Sequence, residues 1–138
     1  MIVLDSNVLS ELMRTEPAQA VAAWVDAQQA ASLCTTAVSV AEIRYGLQRL
    51  PAGKRRTLLR NAADDVFESF ADQVLPFDAD SARHYADIVV ERERAGTPIS
   101  GFDAQIAGIC RTHKAGLATR NTDDFTGLQL RLVNPWAS

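Results

Sequence analysis

Short apolar runs recur along the chain at Met1 to Leu4, Ser32 to Thr36, Val74 to Phe77, Gly116 to Thr119 and Arg131 to Val133. Each is too short for a helix and is bounded by charged or turn-forming residues, so each predicts a buried strand. Helical spacing fills the intervals. Val21, Trp24 and Val25 are placed on one helix face, Val38, Ala41 and Tyr45 on another, and Ala82, Ala86 and Val89 on a third. Pro51-Ala52-Gly53 separates two helices, Pro76 sits beside a strand, and Gly96-Thr97-Pro98 closes the long helix that starts near Asp80. From Ala62 to Phe70 the apolar pattern is diffuse, although a helix is still expected there. Strands alternating with helices predict an α/β fold, with a short, mainly parallel sheet covered by helices on both faces. No repeat or linker interrupts it, which predicts a single domain over residues 1–138.

Composition narrows the class without choosing a function. Hydrophobic residues make up 47% of the 138 positions and charged residues 22%, ordinary values for one folded core that needs no metal or disulfide to hold it. The formal charge of -3 argues against a protein that grips nucleic acid over a long stretch. Local basicity is confined to Arg44, Arg49, Lys54, Arg55, Arg56 and Arg60, which read equally as a solvated helix face or a phosphate-contact patch. Cys34 and Cys110 lie in apolar stretches with no metal-binding spacing, so buried free thiols and a reducing cytoplasm are expected. A charge at position 5 and the absence of any run of about 18 apolar residues predict neither signal peptide nor membrane span.

Chemistry is sought where strands end, because open parallel sheets bind ligands beyond the carboxyl ends of their strands. Asp5 closes the first strand, Glu42 lies one turn into the helix after the second, Asp103 opens the helix after Ile99-Ser100-Gly101-Phe102, and Asp124 follows the fourth strand. Each acid also has a purely structural reading. Asp5 can cap a helix, Ser39 and Glu42 have capping-box spacing, Ser100 and Asp103 form a shorter version, and Asp123 with Asp124 can form an acidic first turn. Taken together, four carboxylates would converge on one crevice at a cost that only protons or cations relieve. An all-oxygen set suits Mg²⁺ or Mn²⁺, while His84 and His113 are expected at the surface without a role.

The segments I-V-L-D-S-N-V-L-S-E-L, V-S-V-A-E-I-R-Y-G-L, I-S-G-F-D-A-Q-I-A and L-A-T-R-N-T-D-D-F-T-G-L, followed by L-V-N-P-W, resemble PIN-domain ribonucleases over the whole chain. More narrowly, the chain is similar to VapC-type toxins of the subgroup associated with fast intracellular trafficking. The resemblance implies a three-layer α/β/α sandwich, divalent-metal endoribonuclease activity on RNA, and inhibition by a small antitoxin. It matches Asp5, Glu42, Asp103 and Asp124 to the family's acids, with Asp123 as the rival for the last, and puts Asn7, Thr119 and Asn121 in supporting positions. Gly101-Phe102 departs from the Met-Ala that many relatives carry at the rim of the site. A homodimer, a larger toxin–antitoxin assembly and DNA contact only through the antitoxin are further implications.

The expected reaction is phosphodiester hydrolysis by water activated at the cation, without a protein nucleophile. Asp5 and Asp103 would hold the principal metal, Asp124 would complete it or share a second, and Glu42 would bind through water or orient the attacking one. Two other readings compete. A phosphoaspartate domain would use Asp5, but Asn7 stands where a second acid is needed and no lysine follows the late strands. A non-catalytic binding module would instead use the acidic crevice to hold a partner's arginine. Val8, Leu12, Met13, Val21, Trp24 and Val25 are expected mostly to pack in the core, and those left over would offer apolar surface for an antitoxin groove.

Overall fold

The computed structural model describes residues 1–137, so the final position of the expected domain lies outside the described residues. Five parallel strands, β1 (Ile2–Leu4), β2 (Leu33–Thr36), β3 (Val74–Leu75), β4 (Gly116–Ala118) and β5 (Leu132–Val133), form a sheet in the order β3-β2-β1-β4-β5. Helices α1 (Ser6–Leu12), α2 (Gln19–Asp26), α3 (Ala37–Gln48), α4 (Lys54–Ser69), α5 (Ala79–Arg94) and α6 (Gly101–His113) cover it. Alternation along the strands divides the interior in two. Val3 and Leu117 join Ile88, Ile106 and Ile109 on the α5/α6 side, whereas Leu4 and Ala118 join Val8, Leu9, Val21, Ile43 and Leu47 on the other. Successive strand side chains point to opposite faces, so a sheet buried on both faces yields this three-layer α/β/α sandwich.

Local chemistry fixes where the helices begin and stop. Asp5, Thr36, Asp78 and Ser100 cap α1, α3, α5 and α6, each accepting a backbone N–H through its side chain. Helix α5 ends as expected at Gly96, whose φ of +73° lets Thr97 N–H reach the Arg92 carbonyl at 2.9 Å and Gly96 N–H reach that of Glu93 at 3.1 Å. The segment with a diffuse apolar pattern is the second half of α4.

Two expected helix faces are rotated. In α3 the buried positions are Val38, Ser39, Ile43 and Leu47, while Ala41 and Tyr45 are exposed. In α5 they are Ser81, Ile88 and Arg92, with Ala82 and Ala86 exposed. The cause is the same in both: a polar residue occupies the buried line because a neighbour satisfies it. The Thr36 hydroxyl donates to Ser39 Oγ at 3.2 Å, and the Ser81 and Thr112 hydroxyls pair at 3.2 Å. Val8 and Val21 are fully buried, and Leu12, Met13, Trp24 and Val25 pack against the same core, the fate expected for most of these residues.

Helices α5 and α6 meet closely at Gly108, where an added Cβ would stand 2.7 Å from the Ser81 carbonyl oxygen and 3.1 Å from Tyr85 N. Backbone cannot swing aside as a flexible side chain can. Gly108→Ala should therefore lower stability by about 2 kcal/mol despite its better helix propensity. Gly46→Ala, whose Cβ meets nothing within 4 Å, should raise it by about 0.5–1 kcal/mol. Urea unfolding of the two variants checks both signs.

Candidate active site

Strand β1 pairs with β2 on one edge and with β4 on the other, so the chain leaves it in one direction through α1 and returns on the other side after α6. A crevice opens at such a switch point, outside the carboxyl ends of the strands. Asp5, at the end of β1, is 4% exposed. Its Oδ1 accepts the Ser6 N–H at 2.8 Å and its Oδ2 accepts the Thr119 hydroxyl at 2.8 Å, so it caps α1 while facing the crevice. Thr119 Oγ1 also accepts from Asn7 Nδ2 at 3.2 Å and from Asn121 N–H at 3.1 Å, and Asn7 Oδ1 accepts the Arg120 N–H at 3.3 Å. The three supporting residues thus form one network holding a single carboxylate.

Glu42 is half-buried on α3, and its Oε1 is enclosed with no hydrogen-bond partner. The capping-box reading fails here, because Thr36 rather than Ser39 caps α3. Asp103 lies in the first turn of α6, its N–H donating to the Ser100 hydroxyl at 3.2 Å, so the capping expectation for Ser100 stands. Asp123 and Asp124 occupy a short 3-10 turn, Thr122–Phe125. They line a cleft of about 230 Å³ with Arg92, Ser100 and Asp103. On the other side of the crevice, Glu42 borders an apolar groove of about 370 Å³ formed by Met13, Ile43, Leu47 and Leu59.

Electrostatics binds the four acids into one unit. Burial raises the Glu42 carboxyl to about 7, and the charges of Asp5 and Asp103 push the same way. Burial also raises Asp103, reinforced by Asp5 and Asp124 and opposed by the Ser100 hydrogen bond and by Arg92. For Asp5, burial outweighs the hydrogen bonds from Thr119 and Ser6, and Asp124 adds to the rise. Asp124, and not Asp123, is the residue of that turn whose field reaches both partners. Among the described residues, no group of three Asp, Glu, His or Cys side chains is placed to hold one ion. The donor chemistry nevertheless fits a hard dication: every donor is a carboxylate oxygen, the acids repel one another, and Glu42 Oε1 lacks any other partner.

The PIN-domain family model matches residues 2–128. The chain belongs to the PIN-domain family. It is 45% identical to VapC ribonuclease Y4jK of Sinorhizobium fredii, covering 99% of this chain and 98% of that protein. It is similar to FitAcB from Neisseria gonorrhoeae, whose crystal structure aligns at a TM-score of 0.92 and 34% identity over the whole of both chains. A structure of FitAB bound to an IR36 DNA fragment aligns at 0.91 and 35% identity, covering 99% of this chain and 96% of that one.

In this PIN domain two buried charges escape sequence reasoning. Arg92, 9% exposed, donates to the carbonyls of Thr97 at 3.2 Å, Asp124 at 2.6 Å and Thr126 at 3.1 Å, tying the loop before α6 to the turn that carries Asp124. Its spacing after Ser81, Tyr85 and Ile88 is the signal that would have found it. Glu11 accepts the Ala18 N–H at 2.8 Å and pairs with Arg14 at 3.1 Å, fixing the α1–α2 connection. His84 and His113 are partly buried rather than at the surface, and His113 Nε2 is enclosed without a hydrogen bond. Cys34 and Cys110 are free and buried as expected, and burial raises the Cys34 thiol to about 11.

Because the folded pKa of Glu42 lies above its ordinary 4.5, the folded protein holds an extra proton between pH 4.5 and about 7. The ionised group therefore destabilises the fold, an effect absent below pH 4.5 and complete above pH 7. In chelator, Glu42→Gln should melt a few degrees higher than the parent at pH 8 and at the same temperature at pH 4. Thermal unfolding across that range measures it.

Proposed function

We propose that this protein is the toxin of a toxin–antitoxin pair, an Mg²⁺- or Mn²⁺-dependent endoribonuclease that hydrolyses RNA phosphodiester bonds in the crevice of Asp5, Glu42, Asp103 and Asp124. The observation that carries it is the mutual destabilisation of these carboxylates around the unpartnered Glu42 Oε1. Ribonuclease relatives matching nearly the full chain support the activity, and toxin–antitoxin complexes among the structural neighbours support the biological setting.

Asp5 and Asp103 would hold the cation, with Asp124 closing the set from the 3-10 turn. A divalent ion bound there supplies charge neutralisation at the scissile phosphate and lowers the pKa of water. The chain's own residues do the rest. Thr119 and the Ser6 N–H keep Asp5 in one rotamer, Arg92 anchors the turn of Asp124 through its backbone, and Glu42 Oε1 orients the attacking water. Arg92 also sets a positive charge near Asp103, which helps an anionic substrate enter an acidic cleft.

RNA needs a grip outside the acids. Tyr45, one turn after Glu42 on α3, is 63% exposed, and the Arg49 guanidinium lies 5.4 Å from its ring centre. An exposed ring backed by a cation is a base-stacking platform. Lys54, Arg55 and Arg60 are exposed on α4, the helix that also supplies Leu59 to the apolar groove, and would contact the phosphates. The same groove and crevice would receive an antitoxin's apolar segment and its arginine, inhibiting the enzyme. DNA contact would come through that antitoxin, a homodimer is the proposed assembly unit, and the cytoplasm is the proposed compartment. A purely non-catalytic module is not favoured, since its relatives carry ribonuclease names.

Asp103→Asn should leave the fold intact and reduce RNA cleavage by at least about 100-fold, and chelator should abolish parental cleavage until Mg²⁺ or Mn²⁺ is restored. A gel assay on RNA decides; full cleavage in chelator, or by the variant, would sink the metal-site reading. Tyr45→Ala should raise KM about tenfold with kcat nearly unchanged, and Tyr45→Phe should keep the parental KM. Steady-state kinetics on single-stranded RNA separates the two.

A further inference from the structure

A cavity of about 540 Å³ opens at the end of the sheet opposite the carboxylates, where β1 and β4 begin. Arg111, Lys114 and Arg131 line it together with His84 and Gln129, and no Asp or Glu is among its lining residues. Arg111 is already engaged, bridging Glu91 at 3.1 Å and donating to the Leu128 carbonyl at 2.9 Å. Lys114 and Arg131 have no acidic partner among the described residues. In a chain with a net charge of -3, two unpaired cations beside a third in one concavity make a local positive field that favours an anion.

The backbone is shaped around these cations. Gly116 gives Arg131 its place: a Cβ there would stand 3.0 Å from both Nε and Nη2 of the guanidinium. Among the described residues, the two non-glycine positions with left-handed backbone, Lys114 at φ +52° and Gln129 at φ +62°, both line this cavity. Lys114 ends α6 at a position where glycine would be free of strain. A lysine there supplies charge at the expense of backbone comfort.

We propose that this pocket binds the phosphate group of a nucleotide, whether free or within an RNA strand. A guanidinium fork and a lysine point charge are complementary to phosphate oxygens, His84 and Gln129 add polar atoms, and the volume suits one nucleotide. The pocket shares no residue with the carboxylate crevice, so the inference stands or falls independently of the nuclease reading.

The test is an amide NMR titration of the full chain in chelator at constant ionic strength, with inorganic phosphate, adenosine 5′-monophosphate and a short single-stranded RNA as probes. Saturable shifts at Lys114, Gly116, Gln129 and Arg131 are expected with the nucleotide. The double variant Lys114→Gly/Arg131→Gln should weaken that binding at least about tenfold. Since Lys114→Gly removes backbone strain, that single variant should melt no lower than the parent, which separates lost binding from lost folding. Tighter saturation by the mononucleotide supports a free ligand, and tighter saturation by RNA supports a backbone contact. Shifts that stay linear, persist in the double variant, or arise equally with citrate overturn the proposal.

Discussion

Strand β1 is hydrogen-bonded along both edges, and the layout of the crevice follows from that pairing. Its three residues lie between β2 and β4, so the helices that follow β1 and those that precede β4 must pass on different sides of the sheet. Asp5 is the residue at which the chain turns from β1 into α1, its N–H still bonded to the Ala118 carbonyl at 2.9 Å while its side chain caps the helix. The next shell depends on this one position. Thr119, the residue after β4, reaches Asp5 because β4 is the adjacent strand, and Asn7 and Asn121 reach Thr119 because each lies two residues beyond its strand's last contact. A slip of one residue between β1 and β4 would turn Thr119 to the other face and dissolve the network.

Such a site opposes the fold that carries it. Burial and like charge raise Asp5, Glu42 and Asp103 together, so each ionised acid subtracts from stability unless a cation is present. The surrounding structure compensates by packing and hydrogen bonding. Two apolar clusters clamp the sheet from either side, and Arg92 reaches three carbonyls from the buried stripe of α5. Each carbonyl acceptor offsets part of the desolvation of the guanidinium, whose charge also opposes the rise at Asp103. The acids are crowded within a frame of buried contacts and hydrogen bonds.

What the sequence discloses is governed by how far each signal travels along the chain. All five strands are legible as short apolar runs, and Asp5, Asp103 and Asp124 stand out because they follow strand ends or open a helix, while Glu42 stands out just inside the helix that follows β2. The rotated faces of α3 and α5 are not legible, since Ser39, Ser81 and Arg92 look like surface residues until Thr36, Thr112 and the 124–126 turn are seen satisfying them. The α1–α2 apolar residues, for which a partner groove competed with core packing, show the complementary limit. Apolar periodicity marks a face that must be covered, and only the tertiary fold reveals that Val8 and Val21 are covered by the chain itself.

Helix α6 connects the two ends of the molecule in charge as well as in space. Asp103 stands in its first turn, and Arg111 with His113 in its last. That order complements the helix dipole, so acid at one end and base at the other are each favoured by the backbone between them. The net charge of -3 therefore conceals an opposition: carboxylates gather where the strands finish and unpaired cations where they start. An RNA strand approaching such a molecule is attracted by one pole and repelled by the other until the acids are neutralised. Under the proposed function, a cation bound at the crevice would offset part of that negative field, while the opposite pole remains positive with or without metal.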